Sequence, residues 1–167
     1  MAILNILEFP DARLRTVAKP IKNVDDRIVK YGKDMLETMY EAPGIGLAAT
    51  QVNIHLQLIV IDISDQKTKP IFLINPVIIK AEGEVETSEG CLSIPGYSEP
   101  IIRYENIEYE ALDISGKEIR EEATGLLAVC IQHELDHLQG KLMVDHISST
   151  KRQLIRKKLL KQQKQHA

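Results

Sequence analysis

The sequence predicts an α+β protein: mostly antiparallel β-strands wrapped around a buried central helix, with one further helix at the C-terminus. Three observations carry that expectation. Residues 124–139 have a helical pattern that is apolar almost all the way round in its first half, through Leu126, Leu127, Ala128, Val129, Cys130 and Ile131. A helix without a polar face belongs in a core. Several β-rich runs precede it, with Gly, Pro, Asn and Ser between them, and a short basic helical pattern follows. Helix, strands, buried helix and tail helix, in that order, read as α+β.

The length, 167 residues, suits one domain. A chain of this size buries roughly 70% of its unfolded surface and needs no disulfide staple. Two cysteines, one of them wanted as a thiolate below, fit a reducing compartment. The N-terminus has no basic start and too short an apolar run for a signal peptide, and no stretch approaches the ~18 apolar residues of a membrane span. A soluble, cytoplasmic monomer with no membrane partner is expected. Residues 1–149 are read as the body of that domain, the part that carries the candidate chemistry below, and 150–167 as a basic helix of the same domain.

In chain order, the segment to about residue 23 is irregular, broken by Pro10 and Pro20. A helix is expected over 25–40. Asp25 or Asp26 can cap it, Ile28, Tyr31, Met35 and Met39 form its apolar stripe, and Pro43-Gly44 ends it. Gly44-Ile45-Gly46 then follows a helix rather than a strand, with no Lys-Ser/Thr after it, which argues against a phosphate loop. Small residues there allow close approach of a backbone or a substrate. Strands are expected over 56–63 and 71–79, with Asn75-Pro76 as an irregularity. Weaker candidates are 82–86 and 101–103. Residues 107–114 alternate, and Ser115-Gly116 can turn them back into 117–121. The tail from Lys151 holds seven Lys or Arg and no acid, leaving 14 basic against 24 acidic residues, a net of −10, in the rest. Thr150 and Gln153 fit a capping box, and Leu154, Ile155, Leu159 and Leu160 give a narrow apolar stripe. Such a helix is either a solvated surface element or an electrostatic contact for RNA.

The chemistry is concentrated in His133-Glu134-Leu135-Asp136-His137. Imidazoles at i and i+4 stack on one helix face and can share a metal ion, with Glu134 beside it to move a proton of water. A histidine pair at that spacing is more often coincidence or core. Here a buried helix must satisfy several polar groups at once, and a metal is an economical partner. Two imidazoles need a third protein ligand. In HExxHxxGxxH that place falls on Met143, and His146 comes three residues too late. No Glu follows Gly140 to serve instead. Cys130, one turn before His133, reads as a small buried apolar residue. Cys91 lies in Glu89-Gly90-Cys91-Leu92-Ser93-Ile94-Pro95-Gly96, where Gly and Pro let the backbone approach a site. Thiolate suits a borderline-soft ion. The expected ligands are therefore Cys91, His133, His137 and a water. Gln51 is the remaining polar group of interest, either a loop glutamine or a carboxamide that donates to an oxyanion.

GIGLAATQ at 44–51, EGCLS at 89–93 and QHELDH at 132–137 together resemble the three motifs of the bacterial peptide deformylase family, in order and in spacing. The resemblance covers most of the chain. It implies a metal-dependent hydrolase that removes the N-formyl group from the formyl-methionine of newly made proteins and releases formate. It implies Glu134 as base and then proton donor, with the Gln51 side chain and the Leu92 backbone N–H helping the metal to stabilise the oxyanion. An apolar pocket for the first side chain, at Gly44, Ile45, Gly46 and Val129, is implied too. The customary ion of the family is Fe2+; ligand type alone favours Zn2+, and Ni2+ or Co2+ would suit the same donors. Formyl-methionyl nascent peptides are the implied partners, and the basic tail resembles C-terminal helices that dock on the ribosome. Ser98 departs from an Arg that close relatives often carry seven residues after the metal Cys, so contacts beyond the first peptide residue are left open. Two alternatives stand beside this reading. A short zinc endopeptidase lacks a third ligand. A structural-zinc RNA-binding module using Cys91, Cys130, His133 and His137 leaves Glu134 without a use.

Overall fold

The computed structural model describes residues 2–166. Met1 and Ala167, the outermost residues of the two segments read from the sequence, lie outside it. The first helix, α1, spans Asp26–Glu41, and the Asp25 side chain accepts from the Ile28 N–H at 3.1 Å. Its inner face buries Ile28, Met35 and Met39 against Leu47, Leu58, Val60 and Ile74. Each such side chain contributes on the order of 1.5–3 kcal/mol. That outweighs the helix's half-exposed Lys30–Asp34 pair, since ion pairs at the surface are worth at most about 1 kcal/mol.

The strands are β1 (Gly46–Ala48), β2 (Leu58–Ile61), β3 (Ile71–Glu82), β4 (Val85–Cys91), β5 (Ile94–Arg103), β6 (Asn106–Leu112) and β7 (Glu118–Thr124). Five of them form an antiparallel sheet in the order β1-β2-β3-β6-β7, and β4 and β5 pair antiparallel in a sheet of their own. The motif helix, α2 (Gly125–Leu138), lies on the larger sheet. Ala128, Cys130, Ile131 and Leu138 pack there with Ile59, Ile61, Leu73, Tyr109 and Ala123. The α+β class expected from the sequence is the class observed.

Asn75 is the irregularity foreseen in β3. It takes a positive φ of 53°, the register shifts across it, and its carboxamide holds both the N–H and the C=O of Ile21 at 2.8 Å. Several local expectations need correction. The 82–86 run is not one strand, because Gly83-Glu84 turns β3 into β4. Gly46–Ala48, read from the sequence only as small residues that allow a close approach, is an edge strand. The punctuated stretch around Cys91 is a hairpin of two strands. Leu126, expected in the core, is 55% exposed.

The last helix, α3, spans Ser149–Gln165. Its cap is Ser148, whose hydroxyl accepts from the Lys151 N–H at 3.2 Å, and not Thr150. Only Ile155 and Leu159 of the expected stripe are buried, packed with Leu7, Phe9, Leu14, Leu142 and Met143. Arg156, Lys157, Lys158, Lys161 and Lys164 face solvent. No helix among the described residues is long and apolar enough to cross a membrane.

Candidate metal centre

Two elements build the site. Helix α2 supplies His133 and His137, whose Nε2 atoms face each other at 3.3 Å. Strand β4 supplies Cys91 at its end, with Sγ 3.4 Å from His137 Nε2. One atom from each of the three residues lies within 4.8 Å of the others. Two nitrogens about 2.0–2.1 Å from one tetrahedral ion stand roughly 3.3–3.4 Å apart, so the separation of the two imidazoles fits a shared ion. The donor set, one sulfur and two neutral nitrogens, fits a divalent transition metal.

The electrostatics fit as well. Burial alone would lower the His133 pKa, but Glu134, Cys91 and Glu89 outweigh it and hold it well above the usual imidazole range. The surroundings therefore favour positive charge at this ring, whether a proton or a metal ion. Burial, then the neighbouring His133 and Arg103, push His137 well below its usual value, which keeps it a neutral donor. Burial raises Glu134 to about 7, where a carboxyl can both take and give a proton near neutrality.

Glycine explains how Glu134 fits. A Cβ on Gly46 would lie 2.6 Å from Glu134 Oε2 and 2.8 Å from Cys130 Sγ. A Cβ on Gly44 would meet the Leu92 side chain at 2.8 Å. The Gly-x-Gly pair thus lets β1 lie directly against α2 and against the β4–β5 turn. Cys130 is buried in that contact, its Sγ 4.0 Å from the Ile45 carbonyl, and stands outside the ligand cluster.

Gln51 is fully enclosed. Its Oε1 accepts from the Ala48 N–H at 2.9 Å, and its Nε2 donates to Ser93 Oγ at 3.0 Å and lies 3.6 Å from Cys91 Sγ. These contacts aim the amide toward the Cys91 side of the cluster. A cavity of about 840 Å³ opens beside it, lined among others by Gly44, Ile45, Gly46, Val129, Ser98 and the displaced Leu126. Leu126 is exposed because it forms a wall of this cavity.

Sequence reasoning assigns no role to Glu89, Arg103 or Asp136. Glu89 Oε1 lies 2.8 Å from His133 Nδ1. Arg103 holds both Glu89 oxygens, at 2.7 and 2.8 Å, and Asp136 Oδ2 at 2.7 Å. Asp136 also meets His146 Nε2 at 2.9 Å. Burial would raise Glu89, but Arg103 and then His133 bring it down to about 2, so it is a carboxylate at any working pH. It fixes the orientation and tautomer of His133, as carboxylates behind metal-bound histidines commonly do. Glu89 stands inside a motif and could have been suspected; nothing in the sequence links Arg103 to it.

The comparisons agree with this geometry. The family model described as polypeptide deformylase matches residues 3–153. A peptide deformylase of Teredinibacter turnerae is 58% identical over the full length of both chains. One of Pseudomonas aeruginosa is 56% identical, also over both full lengths. Among solved structures, a peptide deformylase from Legionella pneumophila superposes with a TM-score of 0.94 at 45% identity, covering 99% of this chain and 98% of that one. Sequence motifs, fold and centre lead to one conclusion: the chain belongs to the polypeptide deformylase family.

Proposed function

We propose that the chain removes the N-formyl group from formyl-methionine at the start of newly made proteins, releasing formate and a free α-amine. The carrying observation is the convergence of Cys91, His133 and His137 beside buried Glu134, next to a cavity that Cys91, His133 and Glu134 line, in a chain of this family. When bound, a divalent ion supplies Lewis acidity that polarises the formyl group and acidifies a water. Glu134 takes a proton from that water as its oxygen joins the formyl carbon. The Gln51 side-chain N–H and the Leu92 backbone N–H donate to the oxygen that becomes negative. The carbon–nitrogen bond then breaks, and Glu134 returns the proton to the leaving nitrogen. Gly44, Ile45, Gly46 and Val129 receive the first side chain. Fe2+ is the proposed ion, over Zn2+, Ni2+ or Co2+; metal analysis of anaerobically purified protein decides it.

Formate release from formyl-Met-Ala-Ser tests the whole reading. Cleavage of an internal peptide bond instead would favour an endopeptidase. Bound zinc with no hydrolysis would favour a structural module.

Gln51→Leu keeps the approximate size and removes the donor. A bond that strengthens in the transition state is lost mainly from kcat, so a fall of roughly 10²–10³ with little change in KM is expected. Steady-state kinetics check it, and a raised KM at constant kcat would make Gln51 a substrate holder only. Gln51→Glu is expected to be at least as harmful, because a carboxylate repels the oxyanion.

The same reading takes 1–149 as the catalytic part and 150–167 as a docking helix on a cytoplasmic monomer. The support is the row of basic side chains that α3 turns to solvent. Truncation after Ser149 should weaken ribosome association and lower its log–log salt slope by a little under one for each phosphate that the helix neutralises. Ribosome binding that is unchanged by truncation would return α3 to a solvated element. Truncation also uncovers Leu7, Phe9 and Leu142, so the complementary Lys157→Ala, Lys158→Ala, Lys161→Ala variant, which keeps the apolar face, accompanies it.

A further inference from the structure

The metal ligands come from two elements far apart in the sequence: the histidines from α2 and Cys91 from β4. Their convergence depends on the seam between α2 and the β4–β5 hairpin. A Glu89–His133 hydrogen bond and an Arg103–Asp136 ion pair cross that seam. A third crossing is neutral. The Gln132 Oε1 accepts from the Tyr104 N–H at 2.9 Å, and Gln132 Nε2 donates to the Tyr104 carbonyl at 2.9 Å and to the Ala128 carbonyl at 3.0 Å. Gln132 is 7% exposed, and both hydrogens of its amide nitrogen are used.

Tyr104 is the first residue beyond β5, where the pairing of β4 with β5 has ended at Val85 and Arg103. Strand pairing therefore does not fix its backbone, and its own side chain, 51% exposed, does not anchor it. The carboxamide does, at both polar groups. The residue so held is covalently next to Arg103, which grips Glu89, which orients His133. A closed loop results: α2 through Gln132 to the end of β5, across to β4 through Arg103 and Glu89, and back to α2 at His133. Cys91 is two residues from Glu89 on β4, so the loop also sets the thiolate against the imidazoles.

We infer that Gln132 is a positioning residue of the metal centre, holding the hairpin in register with α2 by its two-point grip on Tyr104. This rests on the reading of Cys91, His133 and His137 as metal ligands. The plainer role is a buried glutamine that only satisfies local hydrogen bonds, and the two roles differ in what they do to metal retention.

The test is zinc affinity, measured by competition with a chromophoric chelator on the full chain, beside thermal unfolding. Gln132→Met keeps length and loses all three bonds, the two to Tyr104 included; zinc should bind about 10-fold more weakly, the lower end of the range for groups behind metal ligands. Gln132→Glu keeps an acceptor for the Tyr104 N–H but loses the donor, and should fall between wild type and Gln132→Met. It also serves if Gln132→Met does not fold. Thr38→Val, which removes a buried α1 hydroxyl that accepts from the Leu4 N–H and donates to the Asp34 carbonyl, supplies a destabilised comparison. It should leave zinc affinity unchanged. Equal losses in Thr38→Val and Gln132→Met, or zinc affinity within twofold of wild type in both Gln132 variants, would overturn the inference. A wild-type protein that binds no zinc and no iron would overturn both this and the ligand assignment.

Discussion

Glu134→Ala is expected to lower kcat by at least the roughly 10²–10⁴ typical of a general acid–base group, with metal content and fold retained. The geometry sharpens that expectation. Glu134 is buried, its Oε1 has no hydrogen-bond partner among the described residues, and burial has already raised its pKa to about 7. A buried carboxyl with an unsatisfied oxygen is a cost to the folded state. Removing it should therefore leave the protein as stable as wild type or slightly more stable, the trade-off usual for strained active-site groups. Glu134→Gln, which keeps the shape and the fit against Gly46, should lose activity to a similar degree. Formate release by metal-replete protein, together with thermal unfolding, checks both halves. Near-normal turnover in a metal-replete variant would remove Glu134 from the role of base. Lost activity with lost metal would make it a structural support of the centre instead.

The elements most legible in the sequence are those with one dominant apolar pattern. The α1 stripe and the core half of α2 read close to their observed bounds because periodic burial wrote them. The β4–β5 hairpin is legible only at its open end, where the expected strands 82–86 and 101–103 overlap β4 and β5. Its inward positions include Glu89 and Cys91, and its run is broken by Gly90, Pro95 and Gly96, so no apolar alternation marks it. Its antiparallel backbone ladder runs from Val85–Arg103 to Gly90–Ser98, and a ladder of main-chain hydrogen bonds leaves no apolar pattern in the sequence. The three motif stretches identify where the site's residues lie. They do not show that Gly46 is required by the approach of Glu134 and Cys130, nor that Arg103 stands behind Glu89. Both facts depend on contacts between residues more than ten apart, which only the fold supplies. Leu126 misleads for a related reason: an apolar residue that lines a cavity has the same sequence signature as one in a core.

The two cysteines should part company on substitution. If Cys91 is one of three protein ligands, as proposed, Cys91→Ala should lower metal binding and activity together. Its Sγ sits 3.4 Å from His137 Nε2, with the Gln51 amide also turned toward it, so the substitution takes the one sulfur donor out of the cluster. Cys91→Ser is a useful intermediate, since a hydroxyl oxygen is a poorer ligand for a borderline-soft ion but fills similar space. Cys130 is placed otherwise. Burial, then the charges of Glu134 and Glu89, push its thiol well above the usual range, so it stays protonated and contributes packing only. Cys130→Ala should keep the metal and destabilise the protein by on the order of 1–2 kcal/mol, the cost of a small void beside Gly46 and Ile59 in a packed interior. Metal content per chain and chemical denaturation of the two variants make the comparison. Metal lost from Cys130→Ala and kept by Cys91→Ala would make Cys130 the ligand, and the ion would then have to lie one turn nearer the start of α2 than the two imidazoles place it.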